Sequence, residues 1–127
     1  MITLSVSEVA ELHEKLISVT GGSQGIRDIN LLESAVLGCY QTFGDIDLYP
    51  TITEKAARMA YAVSKNHPFV DGNKRVAVTS MLVMLRLNGI NPLFTQQELI
   101  DLGLGIADGS VEYNEIVYWL NNRVDNG

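Results

Sequence analysis

Apolar residues recur at helical spacing along most of the chain. Val9, Leu12, Leu16 and Val19 fall on one helical face. Ser5 and Glu8 precede them at capping-box spacing, and Gly21-Gly22 supplies a stop. Asp28 is placed to cap a second helix carrying Leu31, Leu32, Ala35, Val36, Cys39 and Phe43 before Gly44. The stretch Asp45–Pro50 has no helical period and reads as a loop or a short extended flap. Thr51 and Glu54 form a second capping box, opening an alanine-rich helix with Ala56, Ala57, Met59, Ala60 and Val63 facing inward. Pro68 disfavours helical angles at His67, so that helix stops near Asn66 with His67 extended.

A further helix runs from about Asn73 to Asn88, with Gly89 as its stop. Thr95 and Glu98 open another that reaches about Asp108, and a last one spans roughly Glu112 to Arg123. No pair of alternating strands competes with this pattern. It predicts an all-α bundle of about six helices in a single domain, residues 1–127, with room for one small β-hairpin at Asp45–Pro50.

Composition narrows the function classes. The formal net charge of −6 argues against extended contact with a nucleic-acid backbone, although a local basic cluster can still hold a small phosphate ligand. Cys39 is the single cysteine, which excludes an internal disulfide and fits a buried structural thiol. The first residues lack the basic and apolar segments of a signal peptide. The most apolar run, Val76 to Leu85, is too short to span a bilayer. A soluble, cytoplasmic protein is expected.

Between two apolar helices lies His67-Pro-Phe-Val-Asp-Gly-Asn-Lys-Arg75, where functional side chains are densest. The helix that follows it presents unpaired N–H groups and the positive end of its dipole, a ready anion site. Gly72 allows a sharp turn and close approach of backbone to a phosphate. Lys74 and Arg75 oppose the helix dipole in its first turn, a cost that an anionic ligand offsets. Asp71 offers a hard oxygen to Mg²⁺, and the His67 imidazole is suited to take the proton from an attacking hydroxyl. Phe69 is suited to plug into the core and fix the loop. Taken singly, each has an ordinary reading: a structural histidine, a helix cap, a turn glycine, two solvated cations. Their combination in this order points to chemistry on a phosphate.

The nine residues resemble the signature of the Fic/Doc superfamily, and every specified position of that signature is matched. Lys74 resembles the Doc (death-on-curing) toxin branch, because most Fic adenylyltransferases carry glycine there. The run Arg75 to Gly89, and Leu12-His13 followed by Gly21-Gly22, are also similar to Doc, so the resemblance covers essentially the whole chain. It implies an all-α fold with the motif joining two central helices. It further implies His67 as general base, Asp71 holding Mg²⁺ on the phosphates of ATP, and Gly72, Asn73, Lys74 and Arg75 as the phosphate cradle, with Phe69 as anchor. Doc toxins are protein kinases that act on a threonine of translation elongation factor Tu and are restrained by a separate antitoxin. Those properties are the expectation here, with no nucleic acid or membrane as partner.

Two departures from the adenylyltransferase pattern weigh against nucleotidyl transfer (AMPylation), which is the alternative within the same chemistry. Lys74 fills space near the α-phosphate, and Val78 stands where a second arginine is common. The inhibitory helix of many Fic proteins has Ser or Thr, three residues, Glu, then Gly or Asn. Ser7-Glu-Val-Ala-Glu11-Leu12 fails that pattern at Leu12 and reads as an ordinary amphipathic helix. A catalytically silent binding module is a competing class, opposed by the intact His67, Asp71, Asn73 and Arg75. A ribonuclease is another, opposed by the acidic balance and by His13 as a poor second catalytic group.

Overall fold

Local chemistry sets most of the helix starts in this computed structural model, which describes residues 1–124. Ser5 and Glu8 close a reciprocal capping box at the head of α1 (Val6–Thr20), and Asp28 accepts from the Leu31 N–H to start α2 (Ile29–Leu37). Thr51 caps α3 (Ile52–Asn66), while Thr95 and Glu98 form a second full box at α5 (Gln96–Asp108). Glu112 precedes α6 (Tyr113–Asn121). The start of α4 (Asn73–Leu87) differs, because its N-cap is Gly72, which has no side chain to offer. A single 3₁₀ turn, Gly38–Tyr40, extends α2. Two short strands, β1 (Thr42–Phe43) and β2 (Ile46–Asp47), pair antiparallel with Phe43 opposite Ile46. The fold is all-α with one small hairpin.

The central element is α3, which packs against α2, α4, α5 and α6. Its alanines 56, 57, 60 and 62 are all buried and let neighbouring backbones come close, while Met59 and Val63 fill the gaps. Beside it, α4 contributes Val76, Ala77, Met81, Met84 and Leu85 to the same core and also packs on α1 and α5. Residues 67–72 are the turn between these two helices, so the motif is held by the most heavily packed pair in the fold.

Several expectations need correction. The buried face of α1 is Val9, His13 and Ile17; Leu12 and Leu16 are half-buried and Val19 is exposed. Two stripes of similar hydrophobicity compete on this helix, and the one carrying a histidine wins because that histidine has partners inside. The second helix ends at Leu37 rather than reaching Phe43, which lies on β1, exposed; the hairpin therefore begins three residues before Asp45. The Thr51–Glu54 pair is only half a box, since the Glu54 carboxylate takes the Thr51 hydroxyl rather than its backbone N–H. Cys39 is buried, as expected, with its thiol donating to the Val36 carbonyl at 3.2 Å, and burial pushes its pKa up. No described helix is long and apolar enough to cross a membrane.

Candidate active site

The turn begins with His67, whose backbone is left-handed (φ 48°, ψ 55°) rather than extended; among the described residues it is the one non-glycine with positive φ. Pro68 excludes the right-handed helix at this position but does not choose between the remaining regions. Arg27 makes the choice. Its Nε donates to the His67 carbonyl at 2.7 Å and its Nη2 to the Asn66 carbonyl at 2.9 Å, capping the end of α3. The backbone N–H groups of Arg27 and Asp28 both donate to the Pro68 carbonyl. The His67 side chain is left exposed, and its ring hydrogen-bonds to no described residue. An aromatic base in a strained conformation, held by a distant arginine, is the kind of local cost that is retained at functional positions.

Phe69 points the opposite way and is buried, its ring stacked 3.8 Å above that of His13 at an interplanar angle of 7°. Asn73, placed in the phosphate cradle by resemblance, turns its side chain back on the loop. Its Oδ1 accepts from the Phe69 N–H at 2.9 Å and its Nδ2 donates to the Phe69 carbonyl at 3.0 Å. This amide closes the turn, and what Asn73 offers to a ligand is its backbone N–H in the first turn of α4.

Asp71 is half-exposed. Its Oδ2 accepts from the Ser23 N–H at 3.1 Å, its Oδ1 accepts from the Gly72 N–H at 2.8 Å, and Arg75 Nη2 lies 3.7 Å from Oδ1. The Ser23 bond first, then the Gly72 bond and the Arg75 charge, hold this carboxyl below its usual pKa, so the group is an anion at neutral pH. Each oxygen keeps lone pairs after one N–H contact. No cluster of three or more ligating side chains exists among the described residues. The site therefore fits Mg²⁺ carried in on phosphates, with one protein carboxylate completing the shell, and does not form a protein cage for a metal.

Gly72 has φ +76°, a conformation that favours glycine; a Cβ there would lie 2.8 Å from Ile17 Cδ1, the free end of a side chain that can shift aside. Arg75 is docked on the end of α1, donating to Thr20 Oγ1 at 2.6 Å and to the Gly21 carbonyl at 3.0 Å. Lys74 is exposed, with its stem packed over Gly103. It heads a groove of about 310 Å³ between α1, α4 and α5, floored by Leu16, Val78, Leu99 and Leu104. The hairpin is tied down elsewhere: the buried Lys55 ammonium donates to the Tyr49 carbonyl and lies 3.5 Å from Asp47 Oδ2.

The turn and the first turn of α4 thus carry an exposed His67, a half-exposed Asp71, the open N–H groups of α4 and two cations within nine residues. Sequence reasoning missed the residues that hold them: Arg27, His13, Thr20 and Ser23. Leu12-His13 and Gly21-Gly22 were visible as a pattern, but nothing local in them shows what they touch.

An all-α scaffold whose two central helices are joined by this turn is the architecture expected of one family. The chain belongs to the Fic/DOC family, whose model matches residues 3–85. It is 34% identical over 113 residues to the Protein kinase doc of Escherichia phage P1, covering 89% of this chain and 88% of that protein. It is 39% identical over 70 residues to the Toxin Doc of Mycolicibacterium smegmatis, covering 55% of this chain and 54% of that protein. Both relatives carry the Doc name, which places the chain on the Doc side of the family.

Proposed function

We propose that this chain is the toxin of a toxin–antitoxin pair and transfers the γ-phosphate of ATP to a serine or threonine hydroxyl of a target protein. The observation that carries this reading is the exposed imidazole of His67, set in the same turn as an ionised Asp71 and the uncapped start of α4. The name of the phage relative, a protein kinase aligned over most of both chains, supports the choice of reaction. Lys74 in the first turn of α4 favours the same branch, since it adds charge where a transferred phosphoryl group needs it.

In this mechanism the α4 N–H groups and the Lys74 and Arg75 cations bind and orient the phosphates. Asp71 would hold a Mg²⁺ ion carried in on those phosphates, and the ion would supply neutralisation of the charge on the transferring group. His67 accepts the proton of the attacking hydroxyl. The hydroxyl oxygen bonds to the γ-phosphorus, the bond from that phosphorus to the β–γ bridging oxygen breaks, and ADP leaves with that electron pair. A separate antitoxin restrains the chain in this reading, which the Doc relatives support. Translation elongation factor Tu is the first target to test.

The experiment is incubation with Mg²⁺, ATP and purified elongation factor Tu, or bacterial lysate, followed by intact-mass measurement of the target. Gain of one phosphate, absent with His67→Ala, is expected. Gain of a nucleoside monophosphate would replace this reading with nucleotidyl transfer. An unmodified target under both conditions, with the toxin folded and free of antitoxin, would leave a binding module.

A further inference from the structure

A histidine in the middle of an apolar helical stripe is costly to bury unless its ring finds partners. His13 is 2% exposed, between Val9 and Ile17 on the inner face of α1. It makes two directed contacts, and both are to the motif turn: the stack on Phe69, and a 2.7 Å hydrogen bond from Nε2 to the Asp71 carbonyl. A carbonyl only accepts, so Nε2 carries the hydrogen. A phenylalanine or leucine could fill the same space beneath Phe69. Neither could donate.

The acceptor is the carbonyl of the peptide that joins Asp71 to Gly72, and that peptide is a rigid plane. Holding its oxygen fixes the direction of the N–H at its other end. That N–H, of Gly72, donates to Asp71 Oδ1 at 2.8 Å. The chain of constraint therefore runs from the His13 ring through one amide plane to the carboxylate. The same plane leads into the left-handed Gly72, φ +76°, that starts α4. The Ser23 N–H pins the other carboxylate oxygen.

Resting on the function proposed above, we propose that His13 is a positioning residue for the Asp71 carboxylate, aiming it at the metal-bearing phosphates through the Asp71–Gly72 peptide. Two substitutions separate its contacts. His13→Phe keeps an aromatic ring against Phe69 and loses the donor; His13→Gln keeps a donor and loses the ring. Two measurements are made on each and on the unaltered chain: hydrogen exchange of the Gly72 amide relative to core amides of α3, and ATP binding with and without Mg²⁺.

Removing a partner that orients a metal-binding carboxylate typically costs at least about tenfold in metal affinity. His13→Phe is expected to weaken Mg²⁺-dependent ATP binding by about that factor, with metal-free binding nearly unchanged. The Gly72 amide exchanges faster while the α3 amides do not. His13→Gln recovers part of both effects. The proposal is overturned if His13→Phe leaves Gly72 exchange and the Mg²⁺ dependence as they were, or if Gly72 and α3 lose protection equally. If His13→Phe does not fold, the unaltered chain decides: a slowly exchanging Nε2 proton supports the clamp, and a freely exchanging one removes it. Failure of the unaltered chain to bind ATP with Mg²⁺ would defeat the functional reading, and Gly72 exchange would still report on His13.

Discussion

Two adjacent glycines give a direct test of how the loop after α1 bears on the motif. Gly21 and Gly22 have φ of +88° and +116°, so an alanine at either is strained. The strain alone is worth about 1–3 kcal/mol at each position. Their surroundings differ. A Cβ on Gly21 meets nothing within 4 Å, whereas one on Gly22 would lie 2.6 Å from Asp71 Oδ2 and 3.1 Å from Arg75 Nη2. Ordinary contact begins at 3.4 Å, so the carboxylate must move by most of an ångström. Urea unfolding should show both variants destabilised, Gly22→Ala by at least as much as Gly21→Ala. Transfer activity should separate them: misplacement on this scale costs about a hundredfold, so Gly22→Ala loses about that much while Gly21→Ala stays within a few-fold. Equal activity in the two variants, at equal folded fraction, would refute the coupling of this loop to Asp71.

Further outcomes follow from the same contacts. Arg27→Ala removes both caps on the end of α3 and releases His67 from its left-handed backbone; thermal unfolding should show a loss of about 1–2 kcal/mol, with activity reduced beyond what folded fraction explains. Phe69→Ala deletes a buried ring and should cost about 3–5 kcal/mol, read as a lower urea midpoint. The Asp71 carboxyl has a folded pKa below its unfolded value, so its stabilisation is complete above the unfolded value near ~4 and is lost as pH falls through the folded one. Asp71→Asn should accordingly flatten the acid limb of a stability–pH profile and leave the limb above neutrality unchanged. Cys39, buried with its pKa raised, should react with a thiol reagent no faster than the chain opens.

The features legible in the sequence are those with local causes. Ser5, Asp28 and Thr95 announce helix starts because a cap and its target N–H are three residues apart. The motif is legible because nine contiguous residues carry it. What was not legible depends on contacts distant along the chain. Pro68 narrows His67 to two regions, and the left-handed one is held by contacts from forty residues earlier, where Arg27 and Asp28 bond the His67 and Pro68 carbonyls. Asn73 reads equally well as a ligand donor or a turn clasp until Phe69 is seen beside it. His13 resembles an intruder in an apolar stripe until the Asp71 carbonyl comes within 2.7 Å. In each case the sequence shows a residue with a capacity, and tertiary packing decides where it is used.

In the proposed reaction His67 accepts a proton while the terminal phosphate of ATP moves to a protein hydroxyl. The most direct test uses Mg²⁺ and ATP labelled in parallel at the α- and the γ-phosphate, with target protein present and His67→Ala alongside. Label transferred from the γ position alone, and lost with His67→Ala, is the predicted result. Label transferred from the α position, or γ-label transfer that survives His67→Ala, would contradict it.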